Sequence, residues 1–253
     1  MNAFSKSILN SVNKENFQSA ALSYSISDSS NIGGELGWIK ESSLNNTIKD
    51  QLKKLNIGDI TNPIFTPRLD QTDINSKNIT KDTALLLKKG KVIGWFQGRM
   101  ELGPRALGNR SILGDPRRSD MKDILNLKIK RRESFRPFAP SILREHVSEW
   151  FENDDEVPFM MKVYQIKKNK RAEIPAVTHI DGSGRLQTVY KETNEKYHDL
   201  INEFYKLTNI PILLNTSFNE NEPIVNKPEE ALDCFLRTKM DILAIENYII
   251  ERK

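Results

Sequence analysis

The sequence predicts a mixed α/β protein, an α+β arrangement around a mixed sheet rather than a regular βαβ repeat. Two patterns predict it. Short apolar runs such as KVIGWF (91–96), IPILLN (210–215) and DILAIENYII (241–250) have the length and residue types of buried strands. Between such runs lie amphipathic stretches whose apolar residues recur three and four apart, the period of a helix. The two kinds of segment follow each other without a fixed beat, which points away from a doubly wound sheet. Apolar residues make up 38% and charged residues 28% of the 253, a balance that excludes a disordered polyelectrolyte.

From the N-terminus, Asn16–Tyr24 reads as a short helix with Phe17, Ala20, Ala21 and Tyr24 on one face. The stretch around Gly33, Gly34 and Gly37 is rich in turn formers. Leu44, Ile48, Leu52 and Leu55 repeat at helical spacing, with Ser43 as N-cap and Gly58 as the stop. Residues 1–67 make a first region that buries little surface alone. Residues 68–80, RLDQTDINSKNIT, are polar without a period and read as a linker. The main domain, 81–253, opens with a helix capped by Thr80 and ended by Gly90, followed by the strand 91–96. Residues 97–118 are broken by glycines and prolines and read as a loop. Ser119 caps a helix whose apolar face is Met121, Ile124, Leu125 and the stem of Lys128. RPFAPSIL is extended, and MMKVYQI, AVTHI and LQTVY read as strands. Tyr197, Leu200, Ile201, Phe204 and Leu207 mark an amphipathic helix. Pro228 starts another, with Glu229 and Glu230 where the helix dipole favours them and Ala231, Leu232, Phe235 and Leu236 on its buried face. The chain closes on one strand, 241–250.

No apolar run reaches the length of a membrane helix, and the N-terminus lacks the apolar core of a secretory signal. The expected compartment is the cytoplasm. The single cysteine, Cys234, excludes an internal disulfide and reads as a small packing residue. His146, His179 and His198 lie far apart and leave little material for a metal centre, so no metal site is expected; His179 reads as structural.

The net charge of +4 is unevenly spread: residues 99–144 hold 12 basic against 5 acidic side chains. Most of these bases are arginines set among Gly and Pro. Glycine lets a backbone approach an anion, and the guanidinium fork suits phosphate and carboxylate. An anionic small molecule is therefore the expected ligand, with nucleic acid the weaker alternative. GRMELGPRALGNRS supplies Arg99, Arg105 and Arg110 as anion clamps. KIKRRESFRPFAP supplies Lys130 and Arg136, with Arg131, Arg132 and Glu133 between them. Arg185 follows a flexible turn, just before a strand. Asn215 and Ser217 stand at the carboxyl end of a buried strand, the usual place for ligand contacts in α/β sheets.

Taken together, and in this order, these segments resemble one family. Residues 81–253, through WFQGRMELGPRALGNRSILGDPR, NLKIKRRESFRPFAPSIL, AVTHIDGSGRLQTV and PILLNTSFNENEPIV, resemble the C-terminal domain of the O-carbamoyltransferases of the nodulation and antibiotic-tailoring type. The resemblance implies a YrdC-like fold that binds ATP and carbamoyl phosphate and makes carbamoyl-adenylate, with Mg²⁺ on the phosphates. It places Lys130, Arg136 and Arg185 as catalytic groups and Asn215 and Ser217 as nucleotide contacts; Arg99, Arg105 and Arg110 belong to the family's signature loop, and their role as cofactor contacts is assigned by chemistry alone, as anion clamps. A Kae1-like domain with an iron site, which passes the carbamoyl group to a hydroxyl acceptor, precedes this segment in the family and has no counterpart here. Transfer would then need a separate Kae1-like partner, and the face left uncovered favours self-association.

Residues 15–67 resemble something else. NFQSAALSYSISDSSNIGGELGWIKESSL and IKDQLKKLNIGDITNPIFTP are similar to the middle of a parvulin-type peptidyl-prolyl isomerase domain. The family's outer strands each carry an active-site histidine; both strands are missing, and residues 1–67 contain none. The expectation is a fused chain, an incomplete parvulin-like segment joined to a YrdC-like domain. Proline isomerisation or peptide binding through residues 15–67 is the alternative function.

Overall fold

The computed structural model describes residues 3–24, 51–56, 59 and 71–252. It divides into two units, Met1–Arg68 and Leu69–Lys253. In the first, helices α1 (Ala3–Lys14) and α2 (Phe17–Tyr24) lie against each other with Val12 and Ala20 buried. Asn16 Oδ1 accepts from the Ser19 amide at 2.7 Å and so caps α2. Phe17 and Tyr24, which share a face with Ala20 by their spacing, are exposed. The glycine-rich turns and most of the helix expected after Ser43 lie outside the described residues.

In the second unit an eight-stranded mixed sheet runs in the order β1-β10-β9-β2-β3-β8-β4-β7. Its strands are β1 (Gln71–Asn75), β2 (Ile93–Phe96), β3 (Arg110–Gly114), β4 (Ala139–Leu143), β7 (Gln187–Val189), β8 (Ile212–Ser217), β9 (Ile242–Ile245) and β10 (Tyr248–Arg252). Two pairs, β2 with β9 and β4 with β7, are parallel and the rest antiparallel. A separate ribbon joins β5 (Val163–Gln165) to β6 (Ser183–Arg185). Helix α3 (Ile79–Lys88) packs against α6 (Glu195–Thr208). Helix α6 buries Tyr197, Leu200, Ile201 and Phe204, the face its spacing predicts. Helix α7 (Pro228–Arg237) buries Ala231, Cys234 and Phe235, whereas Leu232 is exposed. Among the described residues no helix is long and apolar enough to cross a membrane.

Several expectations are corrected. The stretch read as a linker, 68–80, contains β1, which finds its partner in β10 at the far end of the chain. The stretch read as a loop, 97–118, contains β3, buried along its whole length although it starts on Arg110 and Ser111. The closing run is a hairpin: β9 turns through Glu246, at φ 49°, into β10. AVTHI is not a strand but holds a 3₁₀ turn at Pro175–Val177. Asn78, not Thr80, caps α3, its Oδ1 accepting from the Lys81 amide at 3.1 Å. The helix after Ser119 is α4, an α turn Met121–Asp123 running into a π turn Ile124–Ile129. The wider turn exposes Lys128 and buries Ile129 and Lys130 instead.

Candidate functional site

Strand β8 lies between antiparallel β3 and β4, with Asn215 opposite Leu113 and Ala139 and Ser217 opposite Ser111. Asn215 is buried, and its Nδ2 donates to Ala106 O at 3.1 Å, Ser141 Oγ at 3.1 Å and Gln187 Oε1 at 3.0 Å. Ser141 Oγ donates to Gln187 Oε1 at 2.5 Å, and Gln187 Nε2 donates to Leu107 O at 2.9 Å. This polar layer ties β8, β4 and β7 to the loop between β2 and β3. Asn215 Oδ1 is left buried with no donor, an arrangement that costs stability unless something fills it.

Beside this layer lies a polar cavity of about 100 Å³. Arg105, Arg132, Arg185, Asn215 and Ser217 line it, and no carboxylate does. The side chains of Arg105 and Arg185 make no hydrogen bond or ion pair to any described residue. Burial lowers the pKa of the Arg185 guanidinium, and the positive charges of Arg105 and Arg132 lower it further. Like charges gathered without a counterion repel each other, so the cavity favours an anion.

Lys130 occupies the adjoining corner. It is 3% exposed, and its Nζ donates to Ser217 O at 2.6 Å, Asn219 O at 2.7 Å and Asn219 Oδ1 at 2.7 Å. Burial, reinforced by Arg132, pushes its pKa down to about 7. The chain geometry here separates three consecutive bases. Lys130 ends the π turn pointing inward, Arg131 adopts φ 44° and reaches out to Glu220 at 3.1 Å, and Arg132 turns back to the cavity. Asn126 stabilises this turn: its Nδ2 donates to Ser134 O and Arg136 O, and its Oδ1 accepts from Arg132 Nε at 2.7 Å. A second cavity of about 360 Å³, lined by Lys130, Arg132, Arg136, Ser217 and Asn219 among others, adjoins the first through Arg132 and Ser217.

The structure thus brings Lys130, Arg105, Arg185, Asn215 and Ser217 together, with Arg136 on the wall of the larger cavity. Arg136 is exposed and pairs with Glu133 at 2.9 Å. It does not bring Arg110 there. That residue is 4% exposed, stacks over Phe96 at 3.5 Å, and donates to Gln97 O at 2.7 Å, Asn109 O at 3.0 Å and Gly98 O at 3.0 Å. Arg99 is exposed and lines neither cavity. Arg132, Ser141 and Gln187 are contacts that sequence reasoning did not single out; Arg132 stood only as one charge in a basic run. His179 lies in the turn before β6, with Nδ1 3.0 Å from Ser183 Oγ, and lines neither cavity. Cys234 is buried, and burial pushes its thiol up to about 12, which suits a packing residue. Among the described residues no three His, Cys, Asp or Glu side chains gather into a metal site.

Compared with known proteins, residues 84–252 match the family model described as the carbamoyltransferase C-terminus. The chain belongs to the carbamoyltransferase family. Nodulation protein NolO of Bradyrhizobium diazoefficiens is 50% identical over 182 residues, which cover 70% of this chain and 33% of that protein. Nodulation protein NolNO of Sinorhizobium fredii is 49% identical over 180 residues, 70% of this chain and 26% of its own. An uncharacterized Synechocystis protein, sll1178, is 48% identical over 190 residues, 67% of this chain and 31% of its own. The chain therefore spans about a quarter to a third of the length of these relatives. Full-length HypF in its phosphate- and nucleotide-bound form aligns over 69% of this chain and 26% of its own, at TM-score 0.47 and 19% identity. Residues 3–73 match a second model, the PPIC-type PPIASE domain, a wider span than the 15–67 that carry the resemblance in sequence.

Proposed function

We propose that this chain supplies the activating half of a carbamoyltransferase: it binds ATP and carbamoyl phosphate and forms carbamoyl-adenylate. One observation carries the reading, the cluster of Arg105, Arg132 and Arg185 around a carboxylate-free cavity at the end of β8. The smaller cavity has room for a phosphate-sized group, and the larger one continues it past Lys130, so that a chain of phosphates can run from one to the other. Water adds at the carbamoyl carbon of carbamoyl phosphate, the bond to the phosphate oxygen breaks, and carbamate and inorganic phosphate result. A carbamate oxygen then attacks the α-phosphorus of ATP, the bond to the β-phosphate oxygen breaks, and pyrophosphate leaves. Such a step needs alignment and charge neutralisation more than acid–base help. The smaller cavity has no carboxylate, and the two on the larger one, Glu133 and Glu220, are already paired with Arg136 and with Arg131 and Arg237, so neutralisation by the protein falls to the arginines and Lys130. Asn215 Oδ1 lacks a donor, and a carbamoyl N–H would supply one where a plain phosphate has none.

Transfer to an acceptor is assigned to a Kae1-like domain outside this sequence, since the relatives are about three times longer than the matched portion. Exposed Leu102, Phe135, Phe159, Met161 and Ile180 are apolar surface that such a partner, or a second copy, would cover. No isomerase step is assigned to residues 3–73, because residues 1–67 contain no histidine. The test is exchange of labelled pyrophosphate into ATP. Exchange that depends on carbamoyl phosphate and is lost in Arg185→Ala is the expected result; a chain that binds no ATP by calorimetry overturns the reading.

A further inference from the structure

The loop from Gln97 to Asn109 joins two neighbouring antiparallel strands, β2 and β3, and carries Arg105 into the cavity. A loop of this size with its ends together needs internal fasteners to hold one shape. Its carbonyls are held from below: Trp95 Nε1 donates to Gly108 O at 2.9 Å, Asn215 to Ala106 O and Gln187 to Leu107 O. Gly108, at φ 112°, lies against the Tyr197 ring so closely that a Cβ there would come within 2.2 Å of it. The amides of Gly98 and Gly108 donate to Glu246 Oε1 and Ser111 Oγ, and three others after the tip converge on one atom. Glu101 Oε1 accepts from the amides of Leu107 at 2.8 Å, Asn109 at 2.7 Å and Arg110 at 3.3 Å. By contrast the tip at Leu102, Gly103, Pro104 and Arg105 is exposed, and the Arg105 side chain touches no polar partner among the described residues.

A guanidinium on an exposed tip has many rotamers and an anchor of its own only through its backbone. We infer that Glu101 is the positioning residue of the site: its carboxylate fastens the amides that follow Arg105 and so sets the Arg105 guanidinium opposite Arg132 and Arg185 for a phosphate ligand. Glu101 does not line the arginine cavity, so its effect on Arg105 runs through the backbone it holds. Charge-assisted bonds from three amides to one oxygen are stronger than neutral ones and hold a loop stiffly. The inference rests on the nucleotide reading above.

A double-mutant cycle on the full chain tests it, with ATP and inorganic pyrophosphate as calorimetric probes and thermal unfolding recorded for every variant. Glu101→Ala is expected to weaken ATP binding about tenfold, and Glu101→Gln, which keeps an acceptor in place, about threefold. On an Arg105→Ala background either change at Glu101 is expected to add less than twofold, because the group it positions is gone. Glu101→Ala that lowers the melting temperature yet binds ATP like the parent overturns the inference, as does a Glu101 effect that adds in full to that of Arg105→Ala. Where Glu101→Ala fails to fold, the Glu101→Gln cycle decides by the same criterion. Parent protein that binds neither probe overturns the nucleotide reading and this inference together. Parent that binds, with Arg185→Ala weakened and both Glu101 variants unaffected, overturns this inference alone.

Discussion

The neck of the 97–109 loop and the cavity that its tip lines each hold an arginine, and the two arginines meet opposite fates. At the neck, Arg110 is enclosed by backbone carbonyls and the Phe96 ring, every contact favourable to a cation. In the cavity, Arg185 faces Arg105 and Arg132, with no acidic partner and a pKa lowered by burial and by those charges. The first arrangement meets both terminal nitrogens with carbonyls and needs no ligand to do so, leaving only the buried Nε without a partner. The second meets its charges only with one. What distinguishes a binding arginine from a structural one is therefore unmatched charge at a cavity, not the residue type or its motif.

The widest separation between the two regions lies in stability. Removing Arg110 leaves its carbonyl partners without a donor and a void against Phe96, so Arg110→Ala is expected to destabilise the fold by about 3 kcal/mol. Urea unfolding would register this as a lower midpoint at unchanged slope. Arg110→Lys recovers only part of it, because an ammonium cannot span carbonyls on both sides. Arg185→Ala does the reverse. It is expected to weaken ATP binding by about 2 kcal/mol, the scale of a charge-assisted hydrogen bond, and to leave the unfolding midpoint unchanged or raised, since a like charge has gone. If Arg110→Ala unfolds normally and loses ATP while Arg185→Ala binds it, the two roles are interchanged.

Lys130 sharpens the contrast because it shares features of both regions: buried and held by backbone carbonyls like Arg110, yet on the wall of a cavity like Arg185. Its pKa is pushed from 10.5 down to about 7. Between those values the unfolded chain holds a proton that the folded chain has released, so this group makes stability rise with pH from about 7 to 10.5 and level off below 7. A bound phosphate chain favours the charged form. ATP binding should then take up a proton above pH 7, and affinity should fall by at most about tenfold per pH unit there. Calorimetry in buffers of different ionisation enthalpy measures that uptake; Lys130→Met should abolish it, and uptake that survives the substitution excludes Lys130 as the group.

How much of this was legible in the sequence follows the same division. The face of α6 and the buried run of β8 were legible because period and apolar content carry them. The gathering of Lys130, Arg185, Asn215 and Ser217 was legible only through the family resemblance that their segments carry together, not through any one segment. Strand β3 was not, because Arg110 and Ser111 look like loop residues until the carbonyl cage that buries them is known. The β9–β10 hairpin was hidden because Glu246 and Asn247 interrupt an apolar run without glycine or proline. Strand β1 depends on a partner at the other end of the chain, which no local pattern reveals. Arg132 was indistinguishable from Arg131, since the left-handed turn at Arg131 that sends them apart is imposed by the π turn and by Asn126.

The two exposed arginines give the finest division. Arg136 already has a partner in Glu133 and stands on the wall of the larger cavity. Arg136→Ala is expected to weaken ATP binding by no more than about 1 kcal/mol, as for other solvent-screened charges. Arg99 should matter least. Its contribution to the loop comes from its carbonyl, which accepts from Asn109 Nδ2 at 2.8 Å, and alanine supplies the same carbonyl. Its side chain lines neither cavity. Arg99→Ala should therefore change stability by less than about 0.5 kcal/mol and ATP affinity by less than about twofold, the ordinary range for exposed positions. Asn109→Ala, which removes the donor, should do more. A tenfold loss of affinity in Arg99→Ala with unchanged stability would mean that the loop moves when ligand binds and carries Arg99 to the phosphates, and unmatched charge at the cavity would no longer mark the site's full extent.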